Sequence, residues 1–506
     1  MFTTIKNKLR RLLHDMKLLK GNKTVSEAIK LPVSEAMYEK IDNWKQIYTG
    51  YFPEWHDVEY HTIAGKRSRT RASMKMPKVV AQKMATLIFN ERCEVNISDQ
   101  TLEQAVKEIF KKNKFNSEFS RYLEYAFAMG GMAMKVYYED GEIKIAYNTA
   151  DTFIPTAWSN SRVTEGIFES SFTKNGKYYT LLEYNIKENG KFVIKNELYE
   201  SNLKHELGIK INLQSMYPDM VERIEFSEMQ SPIFVYFKPN TANNFDTQSP
   251  LGISLFANSL DTLKTLDIAF DSFQREFILG KKRILVPTSA IQVIHDPQTG
   301  QAHRYFDAED EVFQAMEDGL DEDGKITDIS VELRVDEHVS AINAILKVLA
   351  MQMGMNAGAF TFDGTGIKTA TEVVSENSET FRTKQSHEIN AEIAIQELVQ
   401  AIVEVADAFN VFPRVTDYEV SVNFDDSIAE DKQAEIDRQI LLVGAQLTTK
   451  VKALQVIHGI TEVEAIEMLA QINAEAKQEA FIVPEATDLL GAGPTQQLMD
   501  EEEEAI

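Results

Sequence analysis

The spacing of apolar residues changes period several times along the chain, and each change predicts a change of element. Over 26–49, Ala28, Ile29, Ala36, Met37, Ile41, Trp44, Ile47 and Tyr48 recur at helical spacing, with Pro32 breaking the run. Met76–Phe89, Thr101–Lys112 and Ser117–Met129 repeat the helical pattern, the last closing at Gly130-Gly131, and Cys93–Ile97 reads as a strand between them. At Met132 the period drops to two. Met132–Tyr138, Glu142–Tyr147, Phe168–Thr173, Tyr178–Asn185 and Lys191–Tyr199 alternate, and the junctions Asp140-Gly141, Asn175-Gly176 and Asn189-Gly190 predict tight hairpins in an antiparallel meander. Residues 201–231 read as an irregular excursion before a short strand, Ile233–Lys238.

A polar linker, Lys238–Pro250, ends this region, and helical spacing returns over about Ile253–Leu279 with Phe256, Leu260, Leu263, Phe270, Phe273 and Phe277 as its stripe. Lys281-Lys282-Arg283 supplies cations where a helix C-terminus favours them. A small β-containing excursion over 283–333 precedes a second helix, Glu337–Met353.

The chain then enters its organising stretch. Gly354, Gly358, Gly364 and Gly366 permit a loop that bends closely, and Thr369 with Glu372 makes a capping box at the start of a helix that meets no Pro or Gly before Pro413. About 40 residues at ~1.5 Å each span roughly 60 Å, enough to bridge regions or subunits. Its first half, Glu376–Glu388, is polar nearly all round apart from Phe381. From Ile389 on, Ile389, Ile393, Leu398, Ile402, Val405 and Phe409 predict a face buried in a core. A strand over Tyr418–Phe424 and helices over Ala429–Val443, Thr448–His458 and Thr461–Glu479 follow, then an acidic tail predicted to be disordered.

Charge sharpens this outline. The 506 residues carry a formal charge of −25, which argues against a protein that grips nucleic acid through clustered cations and suits a surface past which a polyanion slides, or simple solubility. Acidity concentrates between Asp307 and Glu337, where thirteen acidic residues face two basic ones. Two stretches run the other way: an amphipathic basic arm over residues 1–20, read as a docking or oligomer-contact segment with a membrane-surface helix as the alternative, and Lys66–Arg71, read as a loop that contacts an acidic neighbour, a phosphate or only solvent. The single cysteine, Cys93, excludes an intramolecular disulfide, a CxxC pair and a cysteine zinc cluster, and fits assembly in a reducing cytoplasm. No apolar run is long enough for a membrane span.

Candidate chemistry is sparse. Gly364-Thr365-Gly366-Ile367-Lys368-Thr369 looks like a clipped phosphate loop, but Ile367 stands where a glycine must precede the lysine. Asp321-Glu322-Asp323-Gly324 imitates a calcium loop, yet with Gly324 at the sixth position the first and twelfth are Gly319 and Ser330, which removes the two strongest ligands. The histidines are scattered, and no serine lies in GxSxG. The residues therefore predict no catalysis, no cofactor and no metal.

The order of elements, together with ATLIFNERCEVNIS at 85–98, LGISLFANSLDTLKTLDIAFDSFQREFILGKKRILVP at 251–287, FTFDGTGIKTATEVVSENSETFRTKQSHE at 360–388 and GITEVEAIEMLAQINAE at 459–475, resembles the portal proteins of tailed bacteriophages, in the siphophage branch of Gram-positive hosts. The resemblance implies a mixed α+β portal fold. It is divided into a wing (1–250), a stem helix (251–282), a clip (283–335), a second stem helix (336–353), a tunnel loop (354–368), a long helix and strand returning to the wing (369–425), a helical crown (426–480) and the tail (481–506). It further implies a ring, of twelve subunits in the virion, at a capsid vertex, assembled in the host cytoplasm. Double-stranded DNA passes through the axis for packaging, head-tail joining and ejection. Terminase, a head-completion adaptor and a major capsid or scaffold protein are the implied partners, with no membrane. The implied tunnel-loop residues are Gly354, Gly358, Phe360, Phe362, Gly364, Gly366 and Lys368. Lys264, Arg275 and Lys347 are candidates to line the channel, and Asp318, Asp321, Glu322 and Asp323 to form the acidic clip surface. Phe360 and Phe362 are expected to pack between subunits. The alternatives are another head or connector component, and a nucleotide-dependent enzyme built on Gly364–Thr369.

Overall fold

The computed structural model describes residues 33–480 apart from 63–64, 91–92, 161, 205, 227, 230, most of 281–331, 363–369, 425–431 and 459–461. Residues up to Asp425 form one compact unit and Asp426–Ile506 a second. The architecture mixes helix and sheet, as the alternating periods predict.

The core of the first unit is built where the helical stripes face one another. Helices Glu35–Tyr48, Met76–Ile88 and Phe115–Met129 pack with the long helix Ala370–Ala408 and with a three-stranded sheet in the order Phe234–Phe237, Met132–Glu139, Glu142–Thr149. Trp44, Met84, Phe119, Phe127, Leu398 and Ile402 are essentially inaccessible to solvent. The strand Val420–Asn423 pairs antiparallel with Glu94–Ile97 and so ties the chain after the long helix back to its start.

The meander forms a second, six-stranded sheet. Phe153–Ser159, Arg162–Lys174, Lys177–Glu188 and Lys191–Ser201 pair in sequence, and the last also takes Ile209–Ile211 and Arg223–Phe226. Asn175, Gly176, Asn189 and Gly190 all have φ between 50° and 81°, the paired positive values that a two-residue hairpin turn requires. The strand Phe153–Ser159 escapes a reading of the sequence because Pro155 lies inside it. As an edge strand with a register shift between Pro155 and Ala157, it tolerates the missing donor.

Three expectations are corrected. The helix expected from Ile253 begins at Leu260. Before it, Leu251, Ile253, Ser254 and Phe256 thread the core, with the Leu255 N–H donating to Phe127 O at 2.9 Å, so their apolar spacing reflects burial and not a helix. This passage depends on Gly130, at φ +91°, where a Cβ would stand 2.6 Å from Gly252 O. The second correction concerns the long helix: Ile389 and Ile393 are 56% and 47% exposed, and its buried face is instead set by Ala391, Ala394, Ile395, Leu398 and Val399. Ile395 and Ile402 are fully buried on that face, so the angular position around the helix, and not the size of the side chain, leaves Ile389 and Ile393 outside. Third, Lys66–Arg71 is not a loop. Gly65–Thr70 is a strand pairing with Asp57–Thr62.

The second unit contains helices Lys432–Gly444, Lys450–His458 and Glu462–Ala480, in contact in sequence order. Ala453 and Ala465 are its buried apolar residues among those described.

Candidate functional site

Two helices, Leu260–Leu279 and Val335–Gln352, lie against each other and bracket the segment that contains the short strand pairs Ile284–Leu285 with Thr327–Asp328 and Gln292–His295 with Ala302–Tyr305. Leu263, Leu266, Ile342, Leu346 and Leu349 are buried along them. At the far end Arg334 grips Glu276 with a fork, Nε to Oε1 at 3.1 Å and NH2 to Oε2 at 2.9 Å, and the His338 ring lies 3.7 Å away. Arg334's hydrogen bonds hold the Glu276 carboxyl down at about 2. Lys264 and Lys347 are exposed and Arg275 is half-buried, and none of the three has an ion-pair partner among the described residues.

The chain leaves the second helix through a root that is fastened at every step. Gly354 sits at φ +62°, and a Cβ there would meet Thr383 Oγ1 at 2.5 Å. Thr383 Oγ1 donates to Gly354 O at 2.6 Å, and Thr380 Oγ1 accepts the Asn356 N–H at 2.8 Å. Lys83 Nζ donates to Ala359 O at 2.8 Å and stands 5.0 Å over the Phe360 ring. Burial lowers the Lys83 pKa. Phe360 is only 7% exposed and joins the main core, so its packing is satisfied within its own chain, not between subunits. Phe362 is 40% exposed, with its N–H on Asn343 Oδ1 at 2.8 Å and its ring edge-on to Phe273 at 6.1 Å. Gly358 is exposed, its N–H on Asn356 Oδ1. Gly364, Gly366 and Lys368 lie outside the described residues, as do Asp318, Asp321, Glu322, Asp323, the basic arm, the capping threonine Thr369 and the acidic tail.

The polar start of the long helix is not uniformly solvated. Thr380, Lys384, His387 and Glu388 are all buried. Lys384 Nζ pairs with Glu388 Oε1 at 2.8 Å one turn on, which offsets the cost of removing both charges from water. His387 Nδ1 accepts the Asn240 N–H at 3.0 Å, and Asn240 Nδ2 bonds Ser386 O at 2.8 Å, so this helix also holds the linker that follows the small sheet. Burial drives the His387 pKa down to about 4.

One cluster was missed in the sequence. Asp267 and Asp271 lie four apart on the first paired helix and are both buried. Asp271 takes a two-bond grip from Arg69 at 2.7 and 2.6 Å and accepts the Ala72 N–H at 3.1 Å. Asp267 accepts the Met74 N–H at 2.9 Å and lies 3.2 Å from His56 Nε2. Burial opposes both charges: it raises the Asp267 pKa, whereas at Asp271 the Arg69 hydrogen bonds and the Ala72 N–H outweigh it and lower the pKa. The available signal was two carboxylates at helical spacing beside the apolar stripe of Leu263, Leu266 and Phe270.

Among the described residues no group of His, Cys, Asp or Glu could hold a metal ion, and no helix is long and apolar enough to cross a membrane. Paired helices around a small insert, a fastened loop root and a long returning helix make up a protein of mixed helix and sheet. The chain belongs to the SPP1 Gp6-like phage portal protein family, whose family model matches residues 5–480. Membership makes it a structural, non-enzymatic component of the virion capsid and implies an oligomeric ring in the phage head. No curated protein matches the chain.

Proposed function

We propose that this chain forms a closed ring, of twelve copies in the virion, through whose axis double-stranded DNA passes during packaging and ejection, and which joins head to tail. Head-to-tail contacts between identical subunits close such a ring. The paired helices 260–279 and 335–352 act as the stem, the residues between them as the clip, the segment after 353 as the tunnel loop, and 426–480 as the crown. The clip, with its excess of Asp and Glu, meets terminase during packaging and a head-completion adaptor afterwards, while the body meets the major capsid or scaffold protein.

The observation that carries this reading is the fastened root at 354–362. A loop that must keep its place while a duplex slides past needs a rigid base, and Thr380, Thr383, Lys83 and Asn343 provide one. Net acidity complements it, since each phosphate neutralised would add counterion-release affinity and slow translocation. Lys264, Arg275 and Lys347, which have no ion-pair partner among the described residues, are the proposed guides for the DNA backbone. Negative-stain electron microscopy with light scattering on the same sample tests the proposal. Rings of about twelve subunits with a hole wide enough for a ~20 Å duplex support it. A compact dimer, or particles without a hole, overturns it.

A further inference from the structure

The hairpin Asp57–Thr70 is at odds with the rest of the first unit. None of its described side chains is buried, and none belongs to a hydrophobic cluster. It is a two-stranded sheet on its own, with Val58 opposite Arg69, Tyr60 opposite Arg67 and Thr62 opposite Gly65. Isolated two-stranded hairpins are marginal in water.

Its root, by contrast, is fixed. Arg69 locks onto Asp271, the Arg71 N–H donates to His56 O at 2.7 Å, the Arg71 guanidinium donates to Trp55 O, and the Ala72 and Met74 N–H groups are held by Asp271 and Asp267. Two buried carboxylates on a helix therefore set the direction of a ribbon that no hydrophobic cluster among the described residues covers. Fixing a segment in advance is worthwhile when something binds it, because the ordering cost has already been met.

The charges decide what binds. Lys66 is spent on Glu59, Arg69 on Asp271 and Arg71 on Trp55 O, which leaves Arg67 as the one hairpin cation without a partner among the described residues. One free cation is too few to grip a phosphate backbone, whose affinity comes from neutralising several charges. A single Arg beside a half-exposed Tyr60, on a ribbon with two open strand edges, suits a protein surface, and the acidic surface at hand is another copy of this chain at −25.

We infer that the hairpin Asp57–Thr70 is an arm that docks on the neighbouring copy in the ring, through strand-edge hydrogen bonds and an Arg67 contact with an acidic side chain. This rests on the ring proposed above and adds which segment crosses between subunits.

Two full-length variants test it. In the first, residues 59–68 are replaced by Asn-Gly, which keeps the Val58–Arg69 pair and the Asp271 grip and closes the shortened strands with a two-residue turn. The second is Arg67→Glu. Native mass spectrometry on dilution measures ring dissociation, and circular dichroism checks the fold. The expected result is an unchanged spectrum, with rings that dissociate at a concentration at least about tenfold higher in the shortened variant and are weakened in Arg67→Glu. Independently, Arg67→Cys alkylated with a maleimide–benzophenone should, on irradiation, give a ladder of covalent oligomers, because each label inserts into a C–H bond of the next chain while the native Cys93 stays buried.

Shortened rings as stable as wild type, or a cysteine that cross-links no second chain, overturn the arm while leaving the ring intact. Rings of unchanged stability that have lost duplex retention overturn it in favour of a phosphate contact. A wild-type protein that forms no ring at any concentration overturns the ring and the arm together.

Discussion

The burial of His387 predicts an acid-sensitive fold with a stated size and window. The ring lies edge-on to Phe127 at 5.1 Å, its Nδ1 accepts the Asn240 N–H, and its pKa is held at about 4 against 6.5 for the free side chain. Between those two values the unfolded chain binds a proton at this position and the folded chain does not, so stability is full above pH 6.5 and falls as pH drops toward 4. One pKa unit corresponds to about 1.4 kcal/mol, so this residue alone costs about 1.4 kcal/mol between pH 7.5 and 5.5 and about 3 kcal/mol by pH 4. His387→Asn keeps an acceptor for the Asn240 N–H and cannot take up a proton. Urea unfolding of both proteins at pH 7.5 and 5.5, in one ionic strength, isolates the effect because all other titrations cancel between them. Wild type should lose about 1.4 kcal/mol more than the variant over that interval. Equal losses would refute a buried, neutral His387.

Other perturbations probe the same architecture. Phe360→Ala should cost about 3–5 kcal/mol in denaturant unfolding and raise amide exchange over 354–362, because it empties the core beneath the loop root; a cost below about 1 kcal/mol would show that the root is not anchored there. Gly130→Ala should abolish soluble expression or lower the melting temperature sharply, since its Cβ collides with the Gly252 carbonyl. Gly141→Ala, at φ +82° with nothing within 4 Å of a Cβ, should cost only about 1–2 kcal/mol of backbone strain, and equal effects would contradict the close approach. Glu276, held at about 2 by Arg334, contributes stability that is complete above its ordinary value of 4.5 and is lost as pH falls toward 2. Glu276→Gln should flatten that acid limb in a thermal-melt series, and an unchanged limb would place the acid sensitivity elsewhere.

The local elements were legible in the sequence because they are set by neighbours within a few residues. Asn-Gly pairs fixed the hairpins of the meander, period-two alternation fixed most of its strands, and the unbroken run after Gly366 announced a helix that spans Ala370–Ala408. Apolar spacing alone could not tell a helix from a chain threading the core, so 253–259 was misread. Nor could it choose between the apolar faces of the long helix, where Ile395 and Ile402 are buried and Ile389 and Ile393 are not, because which face meets the body is set by its tertiary partners. Of the candidate site, the sequence supplied the loop and its glycine at 354, but not what fastens it. Lys83 reaches Ala359 across 276 residues, Asn240 reaches His387 across 147 and Arg69 reaches Asp271 across 202. Such pairings exist only once the helices have packed, because burial, and not sequence distance, turns a lone lysine, histidine or aspartate from a solvated side chain into a structural contact.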